Sequence, residues 1–279
     1  MTQLESHNGY YLWKYVPSSA AGGIFATLFA IATIAHFYRL FSTRTWSCIP
    51  FAIGCIFELI GYAARTSAHN KTGELMPYII QSVLLLVAPA LFAASIYMTL
   101  GRIIRCVRGE KYSIIRVNWL TKIFVIGDVL SFVVQSGGAG FMVEGDNATT
   151  GQNIVVGGLF VQIIMFGLFV VTTTIFHLRM RRYPTTESYN VEAPWKSTLR
   201  MLYGVSVLIM IRSIFRVVEY VSGQNGYPLT HEWTVYIFDA VLMLLVTVAF
   251  YYWYPSKVIP APPESGAYSL NTNSKYGEP

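Results

Sequence analysis

The chain has 279 residues, 54% of them hydrophobic, 15% aromatic and only 12% charged, with a formal net charge of +6. The length would suit one or two soluble domains, but the charged fraction is about half that of an ordinary soluble protein. The basic excess, on its own a feature of nucleic-acid binders, is spread over short loops between long apolar runs, so a nucleic-acid partner is excluded in favour of a membrane.

The first 19 residues carry Tyr10, Tyr11, Trp13 and Tyr15, an aromatic group of the kind found at a membrane interface. They lack the basic and apolar regions of a cleaved signal peptide, so the first apolar run, 20–41, is expected to be an uncleaved signal anchor. Further runs follow at 47–66, 76–101, 120–142, 154–178, 199–221 and 234–254. Each is near the roughly 20 residues that span a bilayer, and lipid offers no partner to a free backbone amide, so each must be helical. Tyr251, Tyr252, Trp253 and Tyr254 close the last run as a second aromatic belt. The tail from Pro255 is rich in Pro, Ser, Gly and Asn and reads as disordered. The expected fold is an all-α polytopic membrane protein: an outer segment 1–19, a seven-helix domain 20–254 and a cytosolic tail 255–279.

Basic residues set the orientation. Arg39, Arg44, Arg102, Arg105, Arg108, Lys111, Arg116, Lys122, Arg179, Arg181, Arg182, Lys196, Arg200, Lys257 and Lys275 fall on one side, against Lys14, Lys71 and the helix-end Arg65 on the other. This bias predicts an outside amino terminus and a cytosolic carboxyl terminus. The sequons at Asn70 and Asn147 both fall in loops assigned to the outside, as glycosylation requires.

The second and third runs recur as the sixth and seventh. Residues 56–86 align without a gap on 214–244, with identities at Ile56/Ile214, Phe57/Phe215, Tyr62/Tyr220, Thr72/Thr230, Glu74/Glu232, Tyr78/Tyr236, Ile79/Ile237, Val83/Val241, Leu84/Leu242 and Leu86/Leu244. The copies must point the same way, which predicts a parallel 3+1+3 repeat of a kind that places a substrate site between the halves.

Polar groups at membrane depth are costly, and the default reading of ionisable ones is functional. Glu58, Tyr62 and Arg65 share one face of the second helix, and Arg212, Arg216 and Glu219 one face of the sixth. Gln81 lies in the third helix, Asp128 and Gln135 in the fourth, Gln162 in the fifth and Asp239 in the seventh. Helix direction puts Glu58, Asp128 and Arg212 near the midplane and the others toward the outer leaflet. These eleven residues are the candidate substrate-binding or translocation site, and Glu58, Asp128, Arg212, Arg216, Glu219 and Asp239 among them are expected to face one interior cavity. The repeat equates Glu58 with Arg216, and Gln81 with Asp239, so Glu58 and Arg216 are expected to neutralise one another at matched depth. A structural ion pair that fixes helix packing is the plainer reading of any single pair. Gly137, Gly138 and Gly140 read as a close-packing surface or an unwound helix end.

Some chemistries are missing. No lysine lies in a span, which excludes a retinal Schiff base, and there is no nucleotide-binding G-x-x-x-x-G-K-[ST] loop. The five histidines are scattered between the two sides, no serine sits in an elbow motif, and Cys48 and Cys55 are about 10 Å apart along one helix. No cofactor, metal or catalytic residue is expected.

The run Gly54-x3-Glu58-x2-Gly61-Tyr62-x2-Arg65 resembles the signature of the fungal lipid-translocating exporter family, seven-helix proteins named for resistance to aminocholesterol. Matching segments follow in order. They are Tyr15-x-Pro17-Ser18, Ala88-Pro89-Ala90-x4-Ser95-x-Tyr97, Asp128-x2-Ser131-x3-Gln135-x-Gly137-Gly138, Gly157-x4-Gln162, Arg212-Ser213-x2-Arg216-x2-Glu219-Tyr220 and Glu232-x3-Tyr236-x2-Asp239. Ala20-Ala21-Gly22-Gly23 departs from the pattern where a polar position is expected. The resemblance implies export or translocation of sphingoid long-chain bases and other amphipathic compounds, tolerance of toxic lipids, and membrane lipids as partners. The plasma membrane is the expected location. Two other readings stay open: a receptor-like seven-helix lipid sensor and an intramembrane lipid-modifying enzyme.

Overall fold

The computed structural model describes residue 13 and residues 15–69, 72–143, 148–190, 194–223 and 226–258, with no strand among them. Seven helices are long and apolar enough to cross a membrane, as the runs require. They are α1 (Ser19–Thr43), α2 (Ile49–Ala68), α3 (Leu75–Cys106), α4 (Val117–Val143), α5 (Ala148–Arg182), α6 (Trp195–Val221) and α7 (Glu232–Tyr252). The expected spans hold, with extra turns on α3 and α5. At its basic end α5 runs on through Arg179, Arg181 and Arg182, good helix formers that are exposed there. Asn70, Asn147 and residues 259–279, which hold the two sequons and most of the expected tail, lie outside the described residues. Pro255–Lys257 forms one 3-10 turn.

Consecutive helices pack on one another, α7 returns to α1, and α3 crosses to α6 at the centre. The bundle has two unlike ends. The basic end carries the loops after α1, α3 and α5; the amino-terminal end carries residues 15–18 and the α2–α3 and α6–α7 connections.

α2 has the cleanest buried stripe: Phe51, Gly54, Cys55, Glu58, Gly61, Tyr62, Arg65 and Ala68 recur every three or four residues. A Cβ on Gly61 would stand 2.6 Å from Leu85 Cδ2, and one on Gly54 2.7 Å from Phe92 Cε1. Two glycines seven apart thus let α2 lie directly against α3, the small-residue packing expected where lipid gives no hydrophobic drive. The α4–α5 contact is as close: a Cβ on Gly158 would meet Gln135 Cγ at 2.6 Å, and one on Gly138 the Gly151 carbonyl at 2.7 Å. Helix α4 continues through its glycines, and Gly138 is the close-packed one; around Gly137 and Gly140 there is open space.

Toward the basic end the centre is aromatic. Phe51 stacks on Phe250 with ring centres 4.0 Å apart and lies 4.4 Å from Phe92, joining α2, α3 and α7. The charged interior is therefore confined to the other half of the bundle.

Candidate functional site

Three arginines organise that half, each with its own acid. Arg65 on α2 meets Glu232 at 2.9 Å, Arg212 on α6 meets Asp239 on α7 at 2.6 Å, and Arg216 meets Glu219 at 2.7 Å. Arg65 and both members of the Arg212–Asp239 pair are within 2% of complete burial. Burying such pairs is tolerable only when the remaining donors and acceptors are also served.

Local backbone chemistry serves them. Pro89 has no N–H, so the carbonyl of Leu85, four residues earlier in α3, loses its helical donor. Arg212 supplies one: its Nη2 donates to Leu85 O at 2.6 Å while its Nε donates to Asp239 Oδ1. A proline in one helix thereby anchors a cation from another. Replacing Pro89 by leucine restores an N–H that competes for that carbonyl. The variant is expected to straighten α3 and to weaken the hold on Arg212. In infrared or NMR spectra, Arg212 guanidinium signals should shift relative to wild type; unchanged signals would show that Pro89 does not set this contact.

The second interruption is in α7, where Tyr236–Val241 form a turn of π-helix. Such turns are rare and recur at functional sites. This one carries both Tyr236 and Asp239, turning the first toward Arg65 and the second toward Arg212. Arg216 and Glu219 need no such device, because residues three apart share a helix face.

Arg65 is the hub of the amino-terminal end. It donates to the hydroxyls of Tyr15 (2.8 Å) and Tyr236 (3.0 Å), to Glu232 Oε1, and at 3.5 Å to Gln81 Oε1. Its guanidinium also lies over the rings of Trp13, Tyr15 and Tyr236. Glu232 in turn accepts from the Ser18 N–H at 2.8 Å, tying the start of α1 to α7. Burial pushes the pKa of the Tyr15 hydroxyl up, which keeps it neutral in this cluster.

Beneath the hub is a cavity of about 100 Å³, walled by Arg65, Gln81, Arg216, Glu219 and Asp239 together with Trp13, Tyr15, Tyr78, Ser82 and Tyr220. Asp239 Oδ2 and Arg216 Nε are buried without a hydrogen-bond partner. Against it lies a groove of about 190 Å³ lined mainly by Ile79, Val83, Leu86, Ala139, Gly140 and Val155 from α3, α4 and α5. Tyr78, Ser82 and Tyr220 belong to both walls. Ile79 and Val83 are more than a third exposed, so the groove opens on the face of the bundle. A charged chamber with an apolar side channel can hold a molecule with a polar head and a hydrocarbon chain.

The sequence model of the family described as "RTA1 like protein" matches residues 51–262. This chain belongs to the RTA1-like family. Among its relatives, protoporphyrin uptake protein 1 of Saccharomyces cerevisiae is 37% identical over 278 residues, covering 87% of this chain and 91% of the relative. Protein RTM1 of the same species is 40% identical over 222 residues, 79% of this chain and 72% of the relative. The sphingoid long-chain base transporter RSB1 of S. cerevisiae strain Lalvin EC1118 is 27% identical over 266 residues, 82% of this chain and 69% of the relative. No solved structure matches. The RTA1-like match starts after α1, the helix that carries the Ala20–Gly23 departure. There Gly22 admits Thr66, whose Oγ1 would lie 2.7 Å from an added Cβ.

Not every candidate residue of this RTA1-like protein reaches the cavity. Asp128 faces α3, accepting from the Tyr97 hydroxyl at 2.9 Å. Gln135 and Gln162 clasp α4 to α5: Gln135 Nε2 donates to Gln162 Oε1 and to Ser131 Oγ, which donates to the Gly158 carbonyl; Gln135 also borders the groove. Glu58, Tyr62 and Arg212 are buried and do not line the cavity. The expected Glu58–Arg216 ion pair does not form, because Arg216 has Glu219 one turn away on its own helix. Neither oxygen of Glu58 has a hydrogen-bond partner. The π-turn and the Pro89–Leu85–Arg212 connection were missed; a proline four residues after a carbonyl was the available signal for the second.

Proposed function

We propose that this integral membrane protein carries amphipathic lipids, foremost single-chain amines of the sphingoid type, across the bilayer. The head enters the charged cavity and the chain lies in the groove. The observation that carries this reading is the wall shared by the two, at Tyr78, Ser82 and Tyr220. A cationic head finds an acceptor in the unpartnered Asp239 Oδ2. The relative named a sphingoid long-chain base transporter supports the same class. The protein acts without catalysis, sits in the plasma membrane, and turns its basic end to the cytosol.

The relative named a protoporphyrin uptake protein favours a second cargo, a tetrapyrrole. Porphyrin carboxylates would find one unpartnered donor, Arg216 Nε, but a rigid tetrapyrrole ring is too wide for a charged cavity of about 100 Å³, which admits a small amine head. The amine is preferred on that ground.

Reconstitution in vesicles tests both cargoes. Labelled sphinganine should cross faster than in protein-free vesicles, and Ser82→Phe, which fills the junction of cavity and groove, should slow it at least tenfold while the protein still folds. Binding without movement would mean a sensor, product formation an enzyme, and movement of protoporphyrin alone the second cargo.

A further inference from the structure

Counting charge in and behind the cavity wall leaves one acid over. Arg65, Arg212 and Arg216 face Glu58, Glu219, Glu232 and Asp239, and the three ion pairs use every acid except Glu58. Glu58 is 1% exposed, and both its oxygens and the hydroxyl of Tyr62, one turn on, lack hydrogen-bond partners. The groups that act on it are Asp239 from α7, Arg212 and Arg216 from α6, and Cys55 and Tyr62 on its own helix. An ionised carboxylate so placed costs far more than a neutral carboxyl, because nothing replaces the water it has lost. Asp239, the negative neighbour of Glu58, also lines the cavity and keeps one oxygen free. Two acids thus compete for the guanidinium of Arg212.

We infer that Glu58 is a proton-binding site that exchanges against the amine site at Asp239. With the cavity empty, Arg212 holds Asp239 and Glu58 keeps its proton. When an ammonium head settles on Asp239, Arg212 turns to Glu58, and the Glu58 proton leaves through the cavity. One positive charge enters and one leaves, so the site holds the same net charge in both states. The exchange rests on the amine-carrier reading and deepens it. It links lipid movement to a proton gradient in a chain that has no nucleotide-binding loop.

The test uses the full chain in detergent, lightly buffered, with a pH indicator. Titration with sphinganine should release about one proton per amine bound, as the exchange requires charge balance. Glu58→Gln, which has the shape of the neutral acid, should release no proton and bind the amine at least tenfold more weakly, because the displaced Arg212 then has no carboxylate to turn to; it also corrects for protons shed as the amine enters micelles. Infrared spectra without amine locate the proton. Protonated-carboxyl intensity should fall in Glu58→Gln, and also in Asp239→Asn, where Arg212 is free to ionise Glu58. Amine binding without proton release in wild type, or equal release in Glu58→Gln, overturns the exchange and leaves the carrier reading standing. If no amine binds or moves, the carrier reading fails and the exchange with it. Carboxyl intensity unchanged by Glu58→Gln overturns the proton site itself.

Discussion

Replacing Arg212 by methionine is expected to destabilise the protein by roughly 3–5 kcal/mol, the usual cost of removing one partner of a buried ion pair. The loss has two parts. Asp239, 2% exposed, loses the cation bonded to it, and the Leu85 carbonyl loses the donor that Pro89 cannot supply. If stranding is the cause, Arg212→Met with Asp239→Leu should recover most of the stability, because a matched apolar pair is often as good as a buried ionic one. Thermal unfolding in detergent measures both variants. A double variant no better than the single one would show that Asp239 is not what Arg212 neutralises. Lipid movement should be absent in both, since the amine acceptor is gone from one and its counter-cation from the other.

A second large effect is expected at Arg65. Changing it to methionine removes its donations to Tyr15, Tyr236 and Glu232, and the cost should be roughly 3 kcal/mol, the worth of one or two hydrogen bonds to a charged group. The effect stays below that of Arg212 because Glu232 is 21% exposed and keeps the Ser18 N–H and the Tyr236 hydroxyl as donors. The loss should be local. Amide exchange should speed up at Ser18 and in the first turn of α1, with little change in the aromatic core around Phe51. Uniform acceleration through all helices would mean that Arg65 supports the whole fold rather than closing one end.

The seven helices were legible because bilayer length and backbone satisfaction leave no alternative for long apolar runs. The stripes on α2 and α6 were legible for the same kind of reason: Arg65, Arg212, Arg216 and Glu219 lie where helical periodicity puts them. Pairing was not legible. Depth matching suggested that Glu58 would meet Arg216, but an acid three residues away on the same helix is the nearer partner. The roles of Tyr15 and Glu232 as partners of Arg65 depend on how the segment before α1 folds over α2 and α7, which periodicity within single helices does not record. Asp239 points as it does through a π-turn, a break in the very period used to assign faces. Asp128 shares the polarity of the cavity residues, yet Tyr97 claims it on the α3–α4 seam.

Photo-crosslinking shows directly whether a lipid head sits at Asp239 with its chain in the groove of α3, α4 and α5. A sphingoid amine with a diazirine midway along its chain, bound to the purified protein and irradiated, should label peptides containing Ile79–Leu86 and Gln135–Gly140. Competition by unlabelled sphinganine should remove the label, and Asp239→Asn should reduce it at least tenfold. Label spread over the outward faces of α1 and α5, with no competition and no effect of Asp239→Asn, would mean that the lipid does not occupy this site.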